Sequence, residues 1–335
     1  MRLPRPLIRL PFRFDAERLA AEVADVPEDA WLAHPSGLEG NSSLPLVSCD
    51  GGMNDDFGGR MLPTERLELC PYHRQVMASF GEIIGRSRLM RLAPGAAVSP
   101  HVDFNYHWIS RVRIHVPVLT EPEVVFRCGG VPVHMAPGEC WIFDSWRRHR
   151  VDHGGSRLRV HLVIDLSGSS RFWAMVRSVA HLDGRADAAE IDARSQRLEY
   201  VPGQRPELET ERFNVAPVMA PGEVDAIVAE IVAEFEANAR NDGERMLAYR
   251  LLLEDFAHDW RQLWQRHGPD PAGRPHYEAL IERVRAGLAP DPRALLTGSN
   301  EVGVNPVVVQ RLLRAALQPQ EWERYLATTA GATGS

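Results

Sequence analysis

The chain has 335 residues, of which 44% are hydrophobic and 25% charged, so it can bury a substantial core and is long enough for two domains. Its formal net charge of −7 and the absence of an apolar run as long as a membrane span argue against a nucleic-acid or membrane partner. The N-terminus lacks an apolar signal region and the four cysteines form no close metal-ligand pair, which favours a reducing, cytoplasmic location.

The N-terminal part is predicted to alternate short strands and helices. Residues 7–14 read as a strand, and Asp15 can cap the helix that follows. Residues 51–59 are rich in glycine and polar side chains, which predicts a mobile loop and a candidate lid. The apolar spacing of residues 72–85 predicts a helix, and residues 87–92 are predicted to form a strand that leads into a Pro-Gly turn.

Three side chains with metal-ligand chemistry dominate the middle of the chain. His101 and Asp103 stand at positions i and i+2, so on an extended strand both point the same way and can reach one metal. His149 follows 46 residues after Asp103 (149 − 103), on a strand distant in sequence that can be adjacent in space. Two histidines and one carboxylate leave positions on Fe(II) open for co-substrate and oxygen. His153 competes with His149 for the third position.

Two strands share the pattern Arg-x-Arg-x-His on one face. The residues of this polar face are Arg111, Arg113 and His115 on the first strand, and Arg157, Arg159 and His161 on the second. A barrel interior that binds small dicarboxylates needs such guanidinium groups, because the planar fork matches a carboxylate bidentately. The alternative is two ordinary antiparallel strands, each with one solvated face.

After residue 166 the periodicity becomes helical. Residues 181–220 are polar and dotted with prolines, as in a linker or an extended wrap, and amphipathic helices are predicted from residue 221 onward. We therefore divide the chain into a first domain, 1–180, a linker or wrap, 181–220, and a helical C-terminal domain, 221–335. The apolar stripes of the helices are equally compatible with shielding the first domain and with a homodimer surface.

The first domain resembles the aspartyl/asparaginyl β-hydroxylase and proline hydroxylase family of Fe(II)/2-oxoglutarate dioxygenases. The resemblance covers roughly residues 30–170, about half of the chain. Its motifs are Leu92-Ala-Pro94-Gly95, His101-x-Asp103, Arg113-x-His115-x-Pro117, the run from Gly138 to Asp144, His149-x-Val151, and Arg159.

The resemblance implies a jelly-roll domain that binds Fe(II), with 2-oxoglutarate and O2 as co-substrates. Together with the predicted helices, it gives an α+β chain: a double-stranded β-helix (jelly-roll, cupin-like) core, an N-terminal helical flank and a C-terminal helical appendage. The implied metal ligands are His101, Asp103 and His149. The family places its co-substrate arginine ten residues after the distal histidine (159 − 149), which selects His149 over His153 and assigns Arg159 to 2-oxoglutarate.

Two features refine the comparison with the family. The aspartyl/asparaginyl branch lacks the carboxylate ligand, so Asp103 brings this chain closer to the proline hydroxylase branch and argues against a halogenase. Met90 stands where the branch that acts on folded protein domains has a serine. Arg113 and His115 share the polar face and are expected to contact co-substrate or substrate.

The expected activity is hydroxylation of an unactivated C–H bond in a free or carrier-held amino acid of the proline or pipecolate kind. The alternative within the class is β-hydroxylation of an Asp, Asn or His residue in a small biosynthetic peptide. From other classes, the chain could be a cupin-like metal and ligand sensor without turnover, or a zinc hydrolase. Arg88 faces inward by alternation and could hold a substrate carboxylate; Asn105 and Arg127 are the other candidate substrate contacts.

Overall fold

The computed structural model describes residues 2–34 and 37–322. Its strands are β1 (Leu7–Arg9), β2 (Phe12–Phe14), β3 (Leu32–Ala33), β4 (Asn41–Cys49), β5 (Met61–Pro63), β6 (Ser87–Leu92), β7 (Ala97–His101), β8 (Val112–Leu119), β9 (Val124–Cys128), β10 (Val131–Val133), β11 (Trp141–Phe143), β12 (His149–His153), β13 (Arg159–Leu166) and β14 (Gln196–Leu198). Its α-helices are α1 (Ala16–Ala24), α2 (Pro71–Ser79), α3 (Ser170–Val179), α4 (Ala188–Arg194), α5 (Pro221–Glu236), α6 (Gly243–His267), α7 (Arg274–Gly287), α8 (Val304–Val307) and α9 (Arg314–Ala316).

Two antiparallel sheets form the β core. The larger has the order β1-β11-β8-β13-β6-β4-β3, with β5 paired to β4, and the smaller has the order β10-β9-β12-β7. From β7 to β13 the chain passes repeatedly between the two sheets, with β7, β9, β10 and β12 in the smaller sheet and β8, β11 and β13 in the larger, as expected for a jelly roll. The predicted α+β fold with a double-stranded β-helix core is therefore confirmed.

Each face of the larger sheet has its own hydrophobic cluster, because side chains alternate along a strand. Ile114 of β8 and Leu162 of β13 belong to a cluster that also contains Leu19 of α1 and Val76 of α2. The other cluster draws on both sheets and includes Phe126 of β9 with residues of β11 and β12. Polar residues of β8 and β13 on this second, inward face line the barrel interior.

Strand register fixes which inward side chains are neighbours. On β13, His161 lies opposite Met90 of β6, and Val163 lies opposite both Arg88 of β6 and His115 of β8. These side chains share the inward face with Arg159, as the alternation predicted. Met90, which replaces the serine of one family branch, therefore faces the same interior.

A buried carboxylate joins the first two helices. Glu22 of α1 accepts hydrogen bonds from the backbone N–H groups of Tyr72, at 2.8 Å, and His73, at 3.2 Å, at the start of α2. The His73 Nδ1 lies 2.8 Å from the same carboxylate. These bonds satisfy donors that a helix N-terminus otherwise leaves unpaired. Helix α2 ends at Ser79, earlier than the predicted residue 85, and Gly81 continues the chain with a φ of +59°.

The described chain divides into two compact units. The first contains residues up to Asp103 together with Ser110–Asn214, and the second contains Phe104–Ile109 and the residues from Val215. Within the first unit, β14 pairs in parallel with β2, and Met61 donates to the carbonyl of Glu211 at 2.8 Å. The boundary at Asn214 falls within the predicted linker or wrap of residues 181–220, most of which groups with the first unit, and the short segment after Asp103 groups with the helices.

The second unit carries the helices α5 to α9, which lie within the predicted helical range of 221–335; residues 323–335 of that range lie outside the described residues. Its aromatic side chains pack in a row, with ring centroids 5.4 Å apart for Phe256 and Trp260 and 4.6 Å apart for Trp260 and Tyr277. Trp260 also donates to the carbonyl of Met219 at 2.9 Å. Among the described helices, none combines the length and apolar character that crossing a bilayer requires.

Candidate active site

The smaller sheet brings the two candidate histidine ligands side by side. His101 is the last residue of β7 and His149 the first of β12, and the two lie directly opposite each other in the strand pairing. Their ring centroids are 4.2 Å apart. Asp103, two residues beyond the end of β7, is fixed by its backbone N–H, which donates to the carbonyl of Ser145 at 3.0 Å. Strand pairing and one backbone bond therefore gather all three side chains.

Hydrogen bonds orient both imidazoles for metal binding. The Nδ1 of His101 lies 2.8 Å from the carbonyl of Ser99, and the Nδ1 of His149 lies 2.9 Å from the carbonyl of Arg147. Because a carbonyl only accepts, each Nδ1 carries the proton and each Nε2 keeps its lone pair. This is the arrangement that supports metal-ligating histidines elsewhere.

The three ligand atoms converge on one point. The Nε2 atoms of His101 and His149 each lie 3.8 Å from a different oxygen of Asp103. All three ligand atoms lie within 4.8 Å of one another, and the Asp103 Oδ2 has no hydrogen-bond partner among the described residues. His153 is not part of this group. Two imidazoles and an unpaired carboxylate oxygen at this spacing fit a single divalent cation.

Burial keeps His149 neutral at ordinary pH. The His101 side chain is 44% exposed and that of His149 only 5%, so the group opens to solvent on one side. Burial lowers the pKa of His149 to about 4, and the Asp103 carboxylate opposes that effect only in part. The ring is thus in the form that a metal requires without proton release.

A second polar group lies on β13 and β8. Arg159 is buried, its Nη2 donates to the Nδ1 of His161 at 2.9 Å, and the Nδ1 atoms of His161 and His115 are 3.3 Å apart. The Arg159 Nε and the Nε2 atoms of both histidines are buried without hydrogen-bond partners in the described chain. Burial alone lowers the pKa of Arg159 to about 9, since no carboxylate compensates it.

A third group combines arginines with two carboxylates. Arg113 donates from Nε and Nη2 to both oxygens of Asp165, at 2.8 and 3.3 Å. Arg88 donates from Nη1 to Asp55, which belongs to the irregular loop of residues 51–59. Arg86 donates to the Asp55 carbonyl at 2.8 Å. The predicted candidate lid is therefore attached to Arg88 of β6 and to Arg86, the residue just before that strand.

Electrostatic effects place the third group near the metal-ligand group. Burial lowers the pKa of Arg113, but Asp165, Asp103 and Asp55 together outweigh it and raise that pKa overall. Arg113 is thus within electrostatic range of both the ligand Asp103 and the loop residue Asp55. Burial lowers the pKa of His34, and the charges of Arg88 and His101 lower it further. The Asp55 carboxylate raises the same pKa, so His34 is within electrostatic range of Asp55 as well.

The structure does not place the last two candidates, Arg127 and Asn105, in these groups. Arg127 lies on the outward face of the smaller sheet, because its neighbours Phe126 and Cys128 face inward, and it pairs with Asp152 at 3.0 Å. Its role as a substrate contact stays a prediction. Asn105 belongs to the second unit, whereas the residues of the three groups belong to the first.

His161 was not among the predicted site residues, although it forms part of the Arg159 group. The signal was present, because His161 follows Arg159 at i+2 on the polar face of the same strand. The outer arginines of the two repeats have structural partners instead. Arg157 is 80% exposed and pairs with Glu121, and Arg111 pairs with Glu211 at 2.7 Å.

Comparison with known proteins agrees with the motifs. Residues 57–168 match the family described as aspartyl/asparaginyl β-hydroxylase, and this segment contains the three candidate ligands and Arg159. The resemblance inferred from the sequence is confirmed over that segment. No curated protein sequence matches the chain.

Solved structures with a similar fold include two oxygenases. An oxidoreductase of the 2OG-Fe(II) oxygenase family from Burkholderia pseudomallei is 19% identical, over 50% of this chain and 87% of that one, with a TM-score of 0.35. A prolyl-4-hydroxylase from Pseudomonas putida is 15% identical, over 50% of this chain and 95% of that one, with a TM-score of 0.33. These likenesses are distant, and the fold assignment rests on the strand order.

Proposed function

We propose that this chain, whose residues 57–168 match the family described as aspartyl/asparaginyl β-hydroxylase, is an Fe(II)/2-oxoglutarate dioxygenase that hydroxylates a free or carrier-held amino acid of the proline or pipecolate kind. The dioxygenase class follows from the family. The substrate and the role of each residue are the proposal.

One observation supports the site assignment most directly. Arg159 is a buried guanidinium with no carboxylate partner in the described chain, on the inward face of the same barrel that carries His101, Asp103 and His149. An uncompensated buried cation is costly unless a ligand supplies the opposite charge. A dicarboxylate co-substrate supplies that charge.

The residues fit Fe(II) and 2-oxoglutarate. His101 and His149 would hold the metal through Nε2 and Asp103 through a carboxylate oxygen, with the Ser99 and Arg147 carbonyls keeping the rings oriented. The chemistry that bound iron, 2-oxoglutarate and O2 would supply is the replacement of a C–H bond by C–OH, with O2 as the oxidant, 2-oxoglutarate as the source of two electrons, and succinate and CO2 as co-products. The protein's contribution is orientation and charge.

Arg159 would bind the far carboxylate of 2-oxoglutarate, and His161 assists by holding the guanidinium through its Nδ1. The unpaired Nε2 atoms of His115 and His161 add polar contacts at the same end of the barrel. Burial strengthens these interactions because water does not compete with them. Arg113, whose fork already binds Asp165, would contribute charge to the site.

Arg88 would hold the carboxylate of the amino-acid substrate. It lies on the inward face of β6. Burial lowers the pKa of Arg88 most, and the positive charge of Arg113 lowers it next. The Asp103 carboxylate in turn raises the pKa of Arg113. Two positive groups near one metal-ligand group would thus serve two anions, with Arg159 for the co-substrate and Arg88 for the substrate.

The test is succinate release by the purified chain with Fe(II), 2-oxoglutarate and O2, in the presence of an amino-acid pool that includes L-proline and L-pipecolate. We expect stimulation by one member of the pool and a gain of one oxygen atom in its mass. A lack of stimulation would favour a peptide substrate or a sensor. Activity without O2 and without 2-oxoglutarate would instead indicate a zinc hydrolase.

A further inference from the structure

The loop residue Asp55 and the strand residue Arg88 form a partly buried ion pair inside the first unit. The Arg88 side chain is 7% exposed and that of Asp55 is 25% exposed. Arg88 donates to Asp55 through Nη1 alone. Its Nε and Nη2 have no hydrogen-bond partner within the described residues, and both atoms are accessible to solvent. One edge of the guanidinium fork is therefore available for a second carboxylate.

Asp55 likewise uses one oxygen. Its Oδ1 contacts Arg88 and lies 3.5 Å from Arg86 Nη1, while its Oδ2 has no hydrogen-bond partner in the part of the chain that is described. The carboxylate is held in place by Arg88 and by the bond from Arg86 to the Asp55 carbonyl. A fixed acceptor oxygen thus stands beside a fixed pair of donors.

We propose that Asp55 is a specificity-determining residue that binds the ammonium group of the substrate while Arg88 binds its carboxylate. The site would then take a free α-amino acid, with both charges present, in preference to a residue inside a peptide. This inference rests on the proposed function and narrows its substrate class.

The charges of an α-amino acid suit this pair because they are joined through a single carbon. When its carboxylate lies beside Arg88 and its ammonium group beside Asp55, such a zwitterion gains two attractive contacts. Arg88 and Asp55 still keep their contact with each other. An N-acylated amino acid lacks the cation and would leave the Asp55 oxygen without a donor. An amide lacks the anion and would leave the open edge of Arg88 unpaired.

The position of the pair relative to the ligands supports a substrate role. Arg113 is within electrostatic range of Asp55 and of Asp103, and His34 is within range of Asp55, Arg88 and His101. The loop of residues 51–59 carries Asp55 but no strand or helix. Its place is set instead by anchors such as Phe57, whose ring lies 3.7 Å from the Arg86 guanidinium carbon.

The test measures binding rather than turnover. The twenty proteinogenic amino acids and L-pipecolate are titrated calorimetrically into the full chain, and the tightest binder is compared with its N-acetyl and amide derivatives. We expect each derivative to bind about tenfold or more weakly, because a buried polar group left unpaired opposes binding. Asp55→Asn should bind the amino acid about tenfold more weakly and lose its preference over the N-acetyl form.

Matched variants make the result specific. Asp56→Asn changes the adjacent, exposed carboxylate and should leave both affinities unchanged. Asp55→Glu keeps the charge and should retain part of the preference. If Asp55→Asn does not fold, the proposal is tested on the unmodified chain by the ratio of its affinity for the amino acid to its affinity for the N-acetyl form.

Four results would overturn the proposal. Equal affinity of Asp55→Asn and the unmodified chain would remove Asp55 from recognition, and a gain in affinity would show that Asp55 competes with the substrate for Arg88. Tighter binding of the N-acetyl form, or no binding of any amino acid, would point to a peptide. Failure of the proposed function would instead appear as the absence of 2-oxoglutarate-dependent succinate release, in the unmodified chain and in the Asp55 variants alike.

Discussion

His101 and His149 face each other across neighbouring strands of the smaller sheet, with their ring centroids 4.2 Å apart and both Nε2 atoms 3.8 Å from Asp103. The candidate metal site is thus built from strand pairing rather than from a flexible loop. Because β12 also pairs with β9, His149 is held from both sides. A site on paired strands is positioned before any metal binds.

Asp103→Asn should weaken Mn(II) binding by about 100-fold or more, because it removes the only anionic ligand of the group. Calorimetric titration of Mn(II) into the metal-free chain measures this. Asp152→Asn, on the outward face of the same sheet, is the matched control and should bind Mn(II) like the unmodified chain. Unchanged affinity in Asp103→Asn would remove Asp103 from the ligand set.

Arg159→Met should cost about 3–5 kcal/mol in 2-oxoglutarate binding, because the far carboxylate would then lie buried and unpaired. Calorimetry with the Mn(II)-loaded chain gives the affinity. Arg127→Met is the control, since Arg127 lies on the outward face and should not matter. Normal 2-oxoglutarate affinity in Arg159→Met would show that the co-substrate arginine lies elsewhere.

The same Arg159→Met change should stabilise the ligand-free chain. Burial lowers the pKa of Arg159 to about 9, which means that the folded protein holds this cation at a cost. Replacing it by an apolar side chain of similar length should raise the free energy of unfolding by about 1–2 kcal/mol. Urea unfolding without metal or co-substrate measures the change. A loss of stability would mean that the Arg159–His161 bond outweighs the burial cost.

The metal-free chain should lose stability as the pH falls below 6.5. Burial, with repulsion from Arg159, holds the pKa of His115 and of His161 well below that ordinary value. The unfolded chain therefore binds protons that the folded chain does not, and each ring lowers the free energy of unfolding by up to about 1.4 kcal/mol per pH unit.

This pH effect can be assigned by substitution. Between about pH 7.5 and about pH 5.5, His161→Leu should lose about 1 kcal/mol less stability than the unmodified chain in urea unfolding. His181→Gln replaces an exposed histidine and should leave the pH dependence unchanged. The same slope in all three chains would contradict a neutral, buried His161.

Glu22→Gln should destabilise the first unit by about 3 kcal/mol, since it weakens several buried bonds of one carboxylate. The matched control is Glu17→Gln, an exposed position on the same helix. Burial raises the pKa of Glu22, but the bond to His73, the charge of His73 and the backbone bonds from Tyr72 and His73 together outweigh burial and lower that pKa overall. The contribution should therefore be present above the unfolded pKa of 4.5 and be lost as the pH falls through the lower folded value, which urea unfolding in acid can follow.

The sequence by itself determined the features that depend on local geometry. Side chains at i and i+2 share a face of a strand, so the pairing of His101 with Asp103, and the inward faces of β8 and β13, could be read from the residue pattern. The helices of the C-terminal part followed from their apolar spacing in the same way.

Only the tertiary structure decided which charges meet. Arg113 finds Asp165 at a separation of 52 residues, and Arg88 finds Asp55 at a separation of 33. Whether an arginine faces the interior with or without a carboxylate depends on strand register and loop placement. Alternation places Arg127 on one face of its strand, but it does not show which of the two faces is buried, because long-range packing determines that.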